Sequence, residues 1–380
     1  MPAPSAPRFG DTIPMPDGVP LRAVTFRRPT APTPGAETML QLIGVTDPGA
    51  IDAMLLRPDG VDGASLTLHL PDDLVAGYGF VTAEHIPRDA ADDFFAWIAV
   101  LQSARPDPAV AERIPDQLGG TASVLRMPGS RRHPAELPDA ASLRRYVRTP
   151  IDLGADGVAT VLVPDSAPGA GAVRVLVLFD AENWAQLPLA DDLSRHPLGD
   201  TAVLLMPSGD PYRRFATLPD RAAVADWTRR ALAGAQDAGA FGETPVAAIT
   251  AAGQSYGALA AVGLVLDGIA GAAIAQSGSF EQRADTTAGE EGDRPGDLIE
   301  ALATTPLPQA RFVVQHGSLE PVASCVAPLF AAAARDAGAA VLEREYRGGH
   351  DYAWWRTGLL DGLDALEELR GLPPVSHASA

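Results

Sequence analysis

From residue 145 onward the chain repeats one pattern: a short apolar run, a stretch long enough for a helix, then another apolar run. The runs are VATVLV, VRVLVLF, TAVLLM, PVAAIT, GAAIAQ, RFVVQH and VLEREY. Strands that alternate with helices form a mainly parallel sheet covered on both faces, because a crossover is needed to bring the next strand back in the same direction. The intervening segments have the spacing such a sheet requires. Residues 219–237 place Val224, Trp227 and Ala231 on one helical face, and residues 321–337 form an alanine-rich counterpart. In sheets of this kind chemistry sits beyond the carboxyl ends of the strands, so the loops that follow the runs are where functional residues belong.

The earlier part of the chain reads differently. RAVTFRR, TMLQLIGV, SLTLHL and GYGFVT are short extended runs separated by turns, and Leu66, Leu68 and Leu70 alternate with polar residues as in a half-buried strand. A small antiparallel β-sandwich is expected there. Between 103 and 142 the sequence turns to SARPDPAVAERIPDQLGG and MPGSRRHPAELPDAAS, which have no period and are rich in proline, glycine and charge. That composition predicts a linker. The division expected is a sandwich with its linker over 20–135 and an α/β domain over 140–373.

Composition removes several classes of chemistry. The 380 residues include no lysine, so all 29 basic residues are arginine. A P-loop and a pyridoxal Schiff base both need lysine and are excluded. A net charge of −19 argues against broad binding to nucleic acid or to an anionic membrane. The opening residues MPAPSAPRFGDTIPMPDGVP carry no apolar core of signal-peptide length, and a cytoplasmic location is expected. Cys325 is the single cysteine, so there is no internal disulfide and no cysteine-rich zinc site. No metal and no cofactor are expected.

One loop stands out. PVAAITAAGQSYGALAAVGLVLD reads strand, then Gly253-Gln254-Ser255-Tyr256-Gly257, then helix. A serine flanked in this way is either an ordinary helix cap or the nucleophile of a strand–turn–helix elbow. The rest of the chain favours the second reading. Elbow enzymes place serine, acid and histidine in that order, and Glu320 follows RFVVQH while His350 follows VLEREY within RGGHDY. Serine needs a base to accept its proton, and the imidazole needs a carboxylate to orient it. His316 precedes Glu320 and breaks the order, Asp351 adjoins His350 too closely in sequence to be the expected orienting acid, and a serine–histidine pair working alone is the alternative to Glu320. His69 falls in a sandwich strand, and His85, His133, His196 and His377 fall in polar or proline-rich segments. An oxyanion hole would take one N–H from Tyr256 and another from Ala181 or Glu182, just past VRVLVLF. Trp184 has two readings, packing or stacking against substrate.

VLFDAENWAQ, AAGQSYGALAA, AQSGSF and GGHDYAWWRTGLLDGL, in that order, resemble successive landmarks of the enterochelin (ferric enterobactin) esterase family. VTFRR, GVTD and SLTLHLPDDLVAGYGFV are similar to its amino-terminal domain, so the resemblance runs from about 22 to 370. It implies an α/β-hydrolase preceded by a small immunoglobulin-like β-sandwich. It also implies a cytoplasmic serine esterase that cleaves the trilactone of a ferric catecholate siderophore so that iron is released. Carried over, Ser255 is the nucleophile, His350 the base and Glu320 the acid, with Asp180 and Trp184 on the strand-end motif. Two positions depart from the family pattern: Thr217 stands where a glutamate is expected, and Ala181 follows Asp180 where the family has glycine. A ferric tris-catecholate is a trianion, so its site should gather arginines. Arg213, Arg214, Arg347 and Arg356 lie near the predicted loops, and Arg214 is the one expected in the pocket. The expected partner is a small-molecule ester, with no nucleic acid and no membrane. A general carboxylesterase of the same fold and a non-catalytic siderophore binder are the alternatives.

Overall fold

The computed structural model describes residues 5–371 apart from 17, 30–34, 61–62, 90–92, 117, 138–143, 166–172, 198–200, 210 and 285–294. His377 and the expected limits at 140 and 373 lie outside the described residues. The chain divides into two compact units, one running to Arg131 and including Arg347–Trp354, the other formed by Arg132–Tyr346 and the residues from Trp355.

The amino-terminal unit contains strands β1 (Ser5–Ile13), β2 (Leu21–Pro29), β3 (Glu37–Leu42), β4 (Arg57–Pro58), β5 (Gly63–Pro71), β6 (Val75–Ala83), β7 (Arg113–Pro115) and β8 (Thr121–Arg126). They form two four-stranded antiparallel sheets, β1-β2-β5-β4 and β3-β6-β8-β7. Phe26 of one sheet meets Tyr78 of the other edge to face, with ring centroids 5.3 Å apart, so the two sheets face each other as a sandwich. In β5 the expected alternation holds: Leu70 is buried, Leu66 and Leu68 are half-buried, and Thr67 and His69 are exposed. Helix α1 (Phe94–Gln102) is capped by Asp93, whose carboxylate accepts the N–H groups of Phe95 and Ala96. Residues 103–142 are not simply a linker. β7 and β8 lie within them and complete the second sheet, held by main-chain ladders that side-chain periodicity does not report. β1 precedes the expected start at 20 and pairs with β2 at the sheet edge, where Pro7 and two register shifts are tolerated.

The second unit contains one eight-stranded sheet of β9 (Tyr146–Asp152), β10 (Val158–Pro164), β11 (Val173–Leu178), β12 (Thr201–Leu205), β13 (Val246–Gln254), β14 (Ala272–Gln276), β15 (Arg311–Gly317) and β16 (Ala340–Tyr346). Its order is β16-β15-β14-β13-β11-β12-β10-β9. β11 to β16 run parallel, and β9 and β10 form an antiparallel edge. β12 and β14 are buried at every position, which is what a sheet covered on both faces imposes. The cover comes from α2 (Ala181–Trp184), α3 (Leu189–Arg195), α4 (Pro211–Thr217), α5 (Arg221–Asp237), α6 (Tyr256–Leu266), α7 (Asp297–Leu302), α8 (Ala323–Asp336) and α9 (Tyr352–Arg370). In α5, Asp220 caps the first turn, and Val224, Trp227 and Ala231 are buried as their spacing predicts. Among the described residues no helix is long and apolar enough to cross a membrane.

The strand order positions the site. After β11 the chain moves to β12 on one side, and it then returns to place β13 on the other side of β11. Such a reversal opens a crevice at the carboxyl ends of the two central strands. Asp180 follows β11 and Ser255 follows β13.

Candidate active site

Ser255 has φ 57 and ψ −123, a conformation that non-glycine residues rarely adopt and that surrounding structure must enforce. The sequence shows how this is done. A methyl group on Gly253 would overlap the carbonyl of Gly257, so that position needs glycine, and one on Gly257 would sit in a tight contact 3.3 Å from Asp180 Oδ2. The Ser255 N–H donates to the Gln276 carbonyl at 3.0 Å, tying the bend to β14. Ser255 Oγ lies 3.3 Å from Ser279 Oγ. Tyr256 opens α6, and the first N–H groups of a helix have no carbonyl within it to bind. Its ring packs edge to face on Phe215, and its hydroxyl donates to Gln282 Oε1 at 3.0 Å.

Glu320 is buried beyond the end of β15. Its Oε2 accepts the Ser277 hydroxyl at 2.8 Å and the Gly317 N–H. Ser277 follows β14, has φ 47, and accepts the Trp355 indole N–H at 2.8 Å. Nucleophile and carboxylate thus stand past the ends of β13 and β15, with Ser277 past the strand between them. Ser277 and Ser279 carried no sequence expectation, although both lie in AQSGSF.

Three expectations at the end of β11 are corrected. The Ala181 N–H donates to the Met206 carbonyl at 3.0 Å, because β12 runs alongside and captures it. Among the described residues the Glu182 N–H meets no acceptor, which leaves the alternative donor in that turn. Trp184 is 1% exposed and donates its indole N–H to Gln254 Oε1 at 3.1 Å, so packing is its role, with no face open to substrate. Arg214 sits in α4 and not directly at a strand end, and its guanidinium binds inward. Nε donates to Asp180 Oδ1 at 2.7 Å, and Nη2 donates to Asp180 Oδ2 and to the Gln254 carbonyl, both at 2.9 Å. The other arginines considered for an anion also face carboxylates: Arg213 with Asp156 and Arg356 with Asp192 at 2.6 Å, Arg347 with Asp73 at 3.5 Å.

His350 is half-buried in the loop after β16 and belongs to the segment grouped with the amino-terminal unit. The loop is tightly packed. A methyl group on Gly349 would lie 2.7 Å from Gly44 Cα, and the Asp351 carboxylate accepts the Gly77 and Ala353 N–H groups at 2.6 and 2.8 Å. Asp351 is therefore a turn and helix cap. His316 is buried at the end of β15.

Beneath the strand ends runs a ladder of fully buried amides. Gln254, Gln276 and Gln315 are register partners on β13, β14 and β15. Gln254 Nε2 donates to Gln276 Oε1 at 2.7 Å, and Gln276 Nε2 donates to Gln315 Oε1 at 2.8 Å. Each step offers a donor to the next acceptor, so the dipoles reinforce one another.

Among the described residues one group has metal-like spacing: His133, His196 and Asp364, whose ligand atoms lie within 4.8 Å of one another. Its hydrogen bonds fit a proton better than a metal. His133 Nδ1 accepts the Ala135 N–H at 3.1 Å, which places the ring proton on Nε2, 3.1 Å from Asp364 Oδ2. A metal on Nε2 would need that proton on Nδ1, against the Ala135 N–H. Burial pushes the His196 imidazole below its ordinary value, with the neighbouring Asp364 acting in the opposite direction.

Residues 23–136 match the family described as enterochelin esterase, N-terminal. No curated protein matches the chain. Among solved structures, ferric enterobactin esterase from Salmonella typhimurium is 21% identical with a TM-score of 0.75, over 95% of this chain and 96% of that one. Enterobactin esterase from Shigella flexneri, solved in the presence of enterobactin, is 22% identical with a TM-score of 0.75 over the same shares. The expected architecture, a mainly parallel α/β-hydrolase sheet preceded in sequence by an amino-terminal sandwich, is thus the one observed. Residues 23–136 thus match the amino-terminal domain of the enterochelin esterases, and the chain as a whole shares the fold of the two esterase structures.

Proposed function

We propose that the chain is a serine ester hydrolase acting on the trilactone of a catecholate siderophore, so that the iron the siderophore carries can be released. The observation that carries the hydrolase reading is Ser255 itself, held at φ 57 between two glycines that a strand and a helix press together. Strain of this kind is maintained where a nucleophile must be presented. Its hydroxyl attacks an ester carbonyl while the His350 imidazole takes the proton, and Glu320 stabilises the imidazolium. The bond between the acyl carbon and the alkoxyl oxygen then breaks, the leaving oxygen takes the proton from the imidazolium and departs as the alcohol, and water hydrolyses the acyl-serine by the same route. The Tyr256 N–H and the Glu182 N–H are the assigned oxyanion donors. The substrate class comes from the family: Shigella flexneri enterobactin esterase was solved with enterobactin and with 2,3-dihydroxy-N-benzoyl-serine. We place the reaction in the cytoplasm, a reducing compartment that suits the exposed free thiol of Cys325.

A second reading is favoured by one observation. Arg213, Arg214, Arg347 and Arg356 all hold carboxylates, so none of these four is left over for a trianion. That pattern suits an esterase for a neutral or less charged ester. Incubation with ferric and iron-free trilactones and with simple aryl esters, followed by mass spectrometry, separates the two. The expected result is opening of the trilactone, abolished in Ser255→Ala. Turnover of aryl esters alone supports the second reading. If a fluorophosphonate leaves Ser255 unlabelled and no ester is cleaved, the hydrolase assignment fails.

A further inference from the structure

β11 and β13 share a main-chain hydrogen bond from the Phe179 N–H to the Ala252 carbonyl at 3.2 Å. Beyond it both strands leave the ladder. One enters the turn at Asp180, which has φ 63, and the other enters the elbow at Ser255. The two segments that must present N–H groups to one oxyanion therefore diverge where their relative position matters most. Donors for a tetrahedral oxyanion must stand about 2.7–3.1 Å from it, so small errors in spacing are costly.

A single guanidinium bridges the gap. Arg214 grips both oxygens of Asp180 and, through the same Nη2, the carbonyl of Gln254, the residue before the nucleophile. The far side of the turn is pinned as well: Ser208 Oγ donates to Asp180 Oδ1 at 2.6 Å and accepts the Asp180 N–H at 3.1 Å. The Glu182 carboxylate accepts the Ser208 and Gly209 N–H groups at 3.0 and 2.9 Å. The Arg214 and Asp180 side chains are only 15% and 2% exposed, so salt screens the pair weakly. A planar fork grips both carboxylate oxygens from two nitrogens in fixed directions, whereas an ammonium offers its donors from one atom on a flexible stem.

The geometry points to Arg214 as the positioning residue of the oxyanion hole, fixing the Asp180 turn against the elbow. This rests on the esterase reading and replaces the role of anion ligand that the sequence suggested for Arg214.

The test compares wild type, Arg214→Lys and Arg214→Ala on a neutral nitrophenyl ester and on a ferric trilactone. Rates are expressed per active site by end-point titration with a fluorophosphonate, so unfolded material does not count. The expected result is a fall in kcat of about 10²-fold on both esters, with KM changed less than about 3-fold. Lysine should not rescue, whereas millimolar guanidinium should restore kcat in Arg214→Ala and leave wild type unchanged. A rise in KM for the ferric trilactone alone would make Arg214 a substrate ligand and overturn the proposal. So would a lowered Tm with unchanged kcat per titrated site. Wild type inactive on every ester overturns the esterase reading itself, whereas active wild type with fully active variants overturns only the role of Arg214.

Discussion

The Glu320 carboxylate accepts the hydroxyl of Ser277 at 2.8 Å, joining the ends of two neighbouring strands just beside the strand that leads into Ser255. Ser277 in turn accepts the Trp355 indole N–H, so one small side chain fixes the acid and satisfies a buried ring. That position tests how tightly the acid must be held.

Replacing Ser277 by glycine or by alanine separates two effects. Both remove the hydroxyl and leave a buried indole N–H without its acceptor, at a cost of about 1–3 kcal/mol. Alanine also keeps a side chain at φ 47, which glycine relieves. The expected order of urea midpoints is wild type, Ser277→Gly, Ser277→Ala, with kcat about 10-fold lower in both variants because Glu320 loses an anchor. Equal kcat in all three would show that Glu320 does not depend on this hydroxyl.

At Gly253 the expectation is harsher. A methyl group there overlaps the carbonyl of Gly257, and that clash is with backbone, not with the movable end of a side chain. Gly253→Ala should lose at least about 3 kcal/mol or open the elbow, and fluorophosphonate labelling of Ser255 should fall with it. Retention of both wild-type stability and wild-type labelling would contradict the observed backbone at Ser255.

The parts of this molecule that local physics dictates are legible in the sequence. β11, β12, β14 and β15 announce themselves because strands buried on both faces must be apolar nearly throughout, and the elbow does so because crowding at one bend demands glycine. β9 did not, since Tyr146–Asp152 lies at the sheet edge with mixed exposure and no alternation. Partners distant in sequence were equally hidden. Arg214 looked like a free cation because Asp180 lies 34 positions earlier, and His133 looked like a loop residue because Asp364 lies 231 positions later. Ala181 lost its donor role to a neighbouring strand whose register no single segment encodes.

The amide ladder makes a further stability prediction. In Gln276→Leu the side chain keeps its approximate volume, but Gln254 Nε2 loses its acceptor, and Gln315 Oε1 and the Trp355 carbonyl lose their donor. Orphaned buried groups of this kind should lower the unfolding free energy by about 3 kcal/mol, read as a shift in denaturant midpoint with an unchanged m-value. A variant as stable as wild type would mean that the ladder is not a net source of stability.

The last prediction concerns acid. His196 is completely buried, its Nε2 is 3.2 Å from Asp364 Oδ1, and the ring also faces the Leu360 carbonyl and stacks on His133. Burial lowers its proton affinity below the ordinary value of 6.5, so the native imidazole stays neutral where the unfolded one is already charged. Over that interval the unfolded state binds the extra proton. Stability contributed by this group is therefore intact above about pH 6.5 and declines as pH falls toward the lower native value, by at most about 1.4 kcal/mol per pH unit. In His196→Gln the absolute stability is expected to drop through lost packing, but the pH slope attributable to this site should vanish. Urea titrations of both proteins between pH 7.5 and 5, fitted as the difference in slope and not in midpoint, measure it; identical slopes would mean that His196 does not resist protonation in the native state.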